Sequence, residues 1–136
     1  MITKTVLAGV ALVLSFGVGP ALTAVCLDKS MKLDEIVDAI NATSGCGKAM
    51  RLFEACEFGT SGDIRLGAAV EKKCEGDFLA GLQAPQKAGY QREMRACDRK
   101  YQSQSGTMYL SFTAFCRAKV AQRYSRQALK AAGTSR

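Results

Sequence analysis

Six cysteines, Cys26, Cys46, Cys56, Cys74, Cys97 and Cys116, punctuate this chain, and their number and spread constrain its fold more than any other feature. No two are spaced as Cys-x-x-Cys, which excludes the pattern of thioredoxin-like redox centres and zinc knuckles. Histidine is absent from all 136 residues, so a metal site would have to be built from thiolates and carboxylates alone. An even set of separated cysteines in a short chain reads as a disulfide framework, provided the chain reaches an oxidising compartment.

The N-terminal segment predicts that it does. Lys4 supplies a positive end, Val6 to Val18 is a nearly unbroken apolar run, and Pro20 precedes the small residues Ala21, Thr23 and Ala24. Together these make a secretory signal peptide over residues 1–24. The run holds about 13 residues, short of the roughly 20 that a membrane-spanning helix needs. The mature chain is therefore expected in the periplasm or secreted, with no transmembrane span. Leu22 to Cys26 also approaches a lipoprotein signal with one residue too many. Lipidation needs a small residue before the cysteine, where Val25 is branched, and would leave five cysteines with one unpaired. A soluble product is favoured over an anchor at Cys26.

Residues 25–131 are expected to form one helical domain, followed by a flexible tail over 132–136. Leu33, Ile36, Val37 and Ile40 fall at i, i+3, i+4 and i+7 and predict a helix over about Met31–Asn41. Cys46, Met50, Phe53 and Cys56 predict a second, up to about Phe58. Gly59 to Asp63 makes the clearest turn. Leu66, Val70, Cys74 and Phe78 define a third helix, loosened at Gly76. Pro85 fits the first turn of a fourth, where its missing N–H costs nothing. Tyr90, Met94, Cys97 and Tyr101 share its inner face. After a turn at Ser103–Gly106, a fifth helix runs to about Ala131, with Tyr109, Phe112, Cys116 and Val120 expected inward.

No strand pattern appears, so the fold class is all-α: a small disulfide-stapled bundle of four to five helices arranged as helical hairpins. Cys46 and Cys74 lie at similar distances from the turn at 59–63, and Cys97 and Cys116 flank the turn at 103–106, which leaves Cys26 for Cys56. This is one of the fifteen connectivities that six cysteines permit, and sequence alone does not select among them.

Charge divides unevenly. Residues 25–84 carry seven Lys/Arg against ten Asp/Glu, a balance of −3, and residues 85–136 carry eleven against two, a balance of +9. Two stripes concentrate the positive half: Arg92, Arg95 and Arg99 on the fourth helix, and Lys119, Arg123, Arg126 and Lys130 on the fifth. On an exported protein they point to an anionic envelope surface, lipid or polysaccharide, rather than to nucleic acid. The alternative is a solvated face that keeps the protein soluble. Tyr101, Tyr109 and Tyr124 lie nearby in sequence, either in the core or at such an interface.

Catalysis is not expected. Without histidine, Ser-His-Asp and Cys-His arrangements are impossible, and no Walker loop, nucleophile elbow or dinucleotide fingerprint occurs. Glu54, Glu57, Asp63 and Glu75 are expected to be ordinary helix-surface charges. No cofactor or metal is implied.

The stretch Leu82–Leu129 resembles the C-terminal part of the LprI-type domain, a family of small exported helical proteins associated with lysozyme inhibition. Gln86, Tyr90, Arg95, Cys97, Gly106-Thr107, Cys116, Arg123 and Leu129 follow the family's order, with Tyr90 where Trp is usual and Thr107 in place of Ser. The resemblance covers about a third of the chain and implies a periplasmic protein that binds by its surface, lysozyme being one partner. A mature charge of +6 opposes a basic partner. An inhibitory contact would therefore fall to the acidic half, with Asp34, Glu35 and Asp38 as its candidate face.

Overall fold

The computed structural model describes Cys26 and residues 31–134; the predicted signal peptide lies outside the described residues. Five α-helices follow one another: α1 (Leu33–Ala42), α2 (Cys46–Cys56), α3 (Asp63–Glu75), α4 (Ala84–Tyr101) and α5 (Thr107–Thr134). A short 3₁₀ turn at Leu79–Gly81 precedes α4, and there is no strand among the described residues. The expected all-α bundle is the observed one.

Local chemistry explains most of the boundaries. Glu35 reaches back to accept the Lys32 N–H at 3.0 Å, and Gln86 accepts that of Gln83 at 2.8 Å, so α1 and α4 each open with a side chain satisfying a free amide. Pro85 occupies the first turn of α4. α2 ends two residues earlier than predicted because the Phe58 and Gly59 amides turn away to the carboxylate of Asp63, each at 2.8 Å. Gly59 sits at φ +67° and Gly106 at φ +110°, backbone conformations that leave glycine the natural occupant of both turns. α3 stops at Glu75 rather than running through Phe78, although Phe78 still reaches the core. α5 continues to Thr134, three residues beyond its expected end.

Contacts along neighbouring helices give the topology. Asp34 and Arg65 form an ion pair at 2.6 Å near the starts of α1 and α3, and Lys73 donates to the Asn41 carbonyl near their ends, so the two run parallel. Ser111 donates to Asp63 at 2.7 Å and Ser125 to Asp77 at 2.5 Å. These pairs lie 14 residues apart on each strand of contact, about 21 Å of helix, so α5 is also parallel to α3. The chain thus runs up, down, up, down, up. The N-termini of α1, α3 and α5 share one end of the bundle with the turns at 57–62 and 102–106.

Three disulfides staple this arrangement: Cys26–Cys56, Cys46–Cys74 and Cys97–Cys116, with Cα separations of 5.0, 4.5 and 5.6 Å. Two of them, Cys46–Cys74 and Cys97–Cys116, are the pairs that the arm lengths suggest, and Cys26–Cys56 is the pair that those two leave over. Ile36, Ile40, Met50, Phe53, Leu66 and Val70 fill the core beside them.

The inner face of α5 differs from the expected one. Phe112 is exposed, Tyr109 and Cys116 are half-buried, and of the four predicted residues only Val120 is buried. Apart from Val120, the buried residues of α5 are Ser111, Ala114, Ala118, Ala121 and Ser125. These small side chains let α5 approach α3 closely: a Cβ on Gly67 would stand 3.0 Å from that of Ala114 and 3.1 Å from its carbonyl oxygen. The two serine hydroxyls would be costly on a dry face if unpaired, and each finds an aspartate.

Candidate functional site

With its small-residue face against α3, α5 turns its large residues outward. The result is an open groove of about 1130 Å³ lying along α5 between α2 and α4. Its cationic side chains are Lys100 from α4 and Lys119, Arg123 and Arg126 from α5, which fall on one face because 119, 123 and 126 are three and four apart. Tyr101, Met108, Phe112 and Phe115 supply the apolar surface, and Glu54 and Glu57 stand on the α2 side. Phe115 is fixed by stacking on Phe53, with ring centres 4.0 Å apart and planes within 7°. Lys119 lies over the Phe115 ring at 5.9 Å and Lys100 over that of Tyr101 at 5.2 Å, so the cations are held against aromatic faces.

The structure thus gathers part of the predicted basic constellation. Lys119, Arg123 and Arg126 line the groove. Arg92, Arg95 and Arg99 are exposed on α4 but do not line it, and Lys130 lies beyond it toward the end of α5. Arg123 is engaged by Glu93, which also accepts the Tyr124 hydroxyl at 2.9 Å. Of the three tyrosines, Tyr124 packs with Phe78 and Tyr90 at ring separations of 5.4 and 5.0 Å, whereas Tyr101 adjoins Phe112 at 5.7 Å. The acidic candidates Asp34, Glu35 and Asp38 are all exposed on α1. Asp34 is paired with Arg65, and Glu35 is committed to its helix start.

Two polar centres escape the sequence reading. The first is Asp63, which is fully buried rather than at the surface. Its carboxylate accepts from the Phe58 and Gly59 amides and from the Ser111 hydroxyl, joining the α2–α3 turn to the first turns of α5. The second is Arg117. Its guanidinium makes a two-pronged contact with Glu71 at 2.9 and 3.1 Å and another with Asp98 at 3.0 and 2.9 Å, tying α3 and α4 to α5. Burial pushes the Glu71 carboxyl above its ordinary range, opposed by Arg117, while the hydrogen bonds that Arg117 donates to Glu71 hold its guanidinium firmly protonated. Spacing signals neither centre, because each depends on a partner nearly fifty residues away in the chain, Ser111 for Asp63 and Glu71 for Arg117.

Tyr90 is buried and donates to Glu75 at 2.8 Å; burial first, and then that carboxylate, raise its hydroxyl well above the usual tyrosine value. None of these groups makes a nucleophile–base pair facing a cleft. Among the described residues no cluster of cysteine, aspartate and glutamate could hold a metal ion, and no helix is long and apolar enough to cross a membrane. No protein-family model, curated protein or solved structure matches this chain.

Proposed function

We propose that this chain is an exported, non-enzymatic binding protein that engages an anionic partner of the envelope through the outward face of α5. One observation carries this reading: Lys100, Lys119, Arg123 and Arg126 converge on a single open groove floored by aromatic rings. Anionic groups gain from the cations there, while planar or apolar portions of the same partner gain from the rings. Such attraction is screened over about 8 Å at physiological salt. Binding of the oxidised protein to an acidic polysaccharide is expected to weaken steeply as salt rises. Replacing Lys119 and Arg126 by Ala should lower that affinity severalfold without altering the helical fold. Salt-independent binding, or binding unaffected by the double substitution, refutes the reading.

A lysozyme-inhibitor-like role is the second reading. It draws on the residue resemblance over Leu82–Leu129 and on the exposure of Asp34, Glu35 and Asp38 on one helix. Inhibition of lysozyme by the oxidised protein, lost on changing these three to their amides, tests it directly.

A further inference from the structure

The three bridges are not equally shielded. Cys46 and Cys74 are both buried, whereas each of the other two bridges joins a buried cysteine to a half-buried one, Cys97 to Cys116 and Cys56 to Cys26. A thiol from solution has to reach a sulfur before it can exchange with it, so these two bridges offer the points of attack.

Their surroundings carry opposite charge. Cys116 lines the groove along α5 three residues before Lys119, and Cys97 stands three residues before Lys100 on α4. Residues three apart on a helix are about 5–6 Å apart at Cβ, so a cation adjoins each cysteine of this bridge. Neither lysine has a carboxylate partner among the described residues; both rest on ring faces. Asp98, the acidic neighbour of Cys97, is held by Arg117. Beside Cys56 the signs reverse: Glu57 follows it and Glu54 precedes it by two positions, both exposed and neither in an ion pair.

We infer that Cys116 is a site of thiol–disulfide exchange selective for small thiols of net negative charge. The thiolate of such a thiol attacks the Cys116 sulfur, the bond to Cys97 breaks, and its electron pair passes to the Cys97 sulfur beside Lys100. A mixed disulfide at Cys116 and a thiolate at Cys97 result. Return attack by Cys97 expels the small thiol and closes the bridge again, so the cycle consumes no oxidant or reductant. The lysines act twice, drawing the anion to the groove and favouring negative charge on the sulfurs. Opening this bridge unties α4 from α5 on the groove side, whatever partner the groove holds.

Glutathione, which is anionic, and cysteamine, which is cationic, are the probes, each applied briefly to the oxidised protein. Alkylating the released thiols and mapping the peptides gives an opening rate for each bridge. The ratio of the glutathione rate to the cysteamine rate should be about fivefold higher at Cys97–Cys116 than at Cys26–Cys56. Raising salt to about 1 M should bring the two ratios together. Lys100→Gln with Lys119→Gln should lower the ratio at Cys97–Cys116 and leave that at Cys26–Cys56 unchanged, and mass spectrometry should find glutathione on Cys116. Equal ratios at the two bridges, a ratio indifferent to the lysine pair, glutathione carried on Cys97, or bridges that resist both thiols overturns the inference. The salt series on the unaltered protein decides the matter if the lysine pair does not fold.

Discussion

The two long faces of α5 reverse the usual distribution of side chains. The face against α3 carries two serines and three alanines and is buried, whereas the face along the groove carries Met108, Phe112 and Phe115 beside lysine and arginine and is largely open. Size, rather than hydrophobicity, decides which side is inside. With Gly67 opposite Ala114 there is no room for a larger residue, and close approach yields dense packing from small side chains. Hydroxyls are tolerated on the dry side because Asp63 and Asp77 receive them. Large residues are left on the wet side, where the proposed binding role would use them.

The sharpest way to break this contrast is Asp63→Ala. It deprives the buried Ser111 hydroxyl and the part-buried Phe58 and Gly59 amides of their acceptor, and an expected loss of about 3 kcal/mol follows from these three bonds together. Denaturant unfolding measures it, and a loss below about 1 kcal/mol would mean that water replaces the carboxylate. Gly67→Ala comes next. Helix propensity alone would stabilise by about 1 kcal/mol, but the clash with Ala114 forces the helices apart, so a net loss of about 1–2 kcal/mol is expected. A stabilised variant would show that α3 and α5 are not packed tightly.

A third test addresses the seam between α3 and α4. Since Tyr90 resists ionisation when folded, the unfolded chain gives up that proton first. The associated stability is fully present below pH 10, the ordinary tyrosine value, and drains away as pH rises beyond it. Tyr90→Phe should cost about 1 kcal/mol near neutrality through the lost bond to Glu75 and should flatten the alkaline decline. An unchanged decline in unfolding scans above pH 10 would rule out Tyr90 as its source. The smallest effect is expected on the open face, where Phe112→Ser should change stability by no more than about 0.5 kcal/mol. A drop of about 2 kcal/mol would place Phe112 in the core after all.

Much of the bundle is legible in the sequence because its signals are local. The i, i+3, i+4 stripe of α1, the turn glycines and Pro85 each act within a few residues. The cysteine pairing is legible for a related reason: hairpins place residues equally far from a turn side by side, as Cys46–Cys74 and Cys97–Cys116 are. α5 is less legible because its buried stripe, Ser111-Ala114-Ala118-Ala121-Ser125, is small and partly polar rather than hydrophobic. Asp63 and Arg117 were hidden by chain distance, since what makes them central is a partner on another helix. Of the candidate site, helical spacing marks Lys119, Arg123 and Arg126, whereas the place of the rings beside them depends on how α5 is rotated against α3, which spacing does not set.

The disulfide pattern has a consequence for proteolysis. The Cys26–Cys56 and Cys46–Cys74 loops overlap, while Cys97–Cys116 stands apart, so no bridge crosses from Cys74 to Cys97. A nick in the turn at 57–62 or at 102–106 leaves the pieces covalently joined. A nick in the connection at 76–83 instead yields two separately stapled fragments of opposite net charge, held only by the interlocked helices, which a non-reducing denaturing gel would resolve.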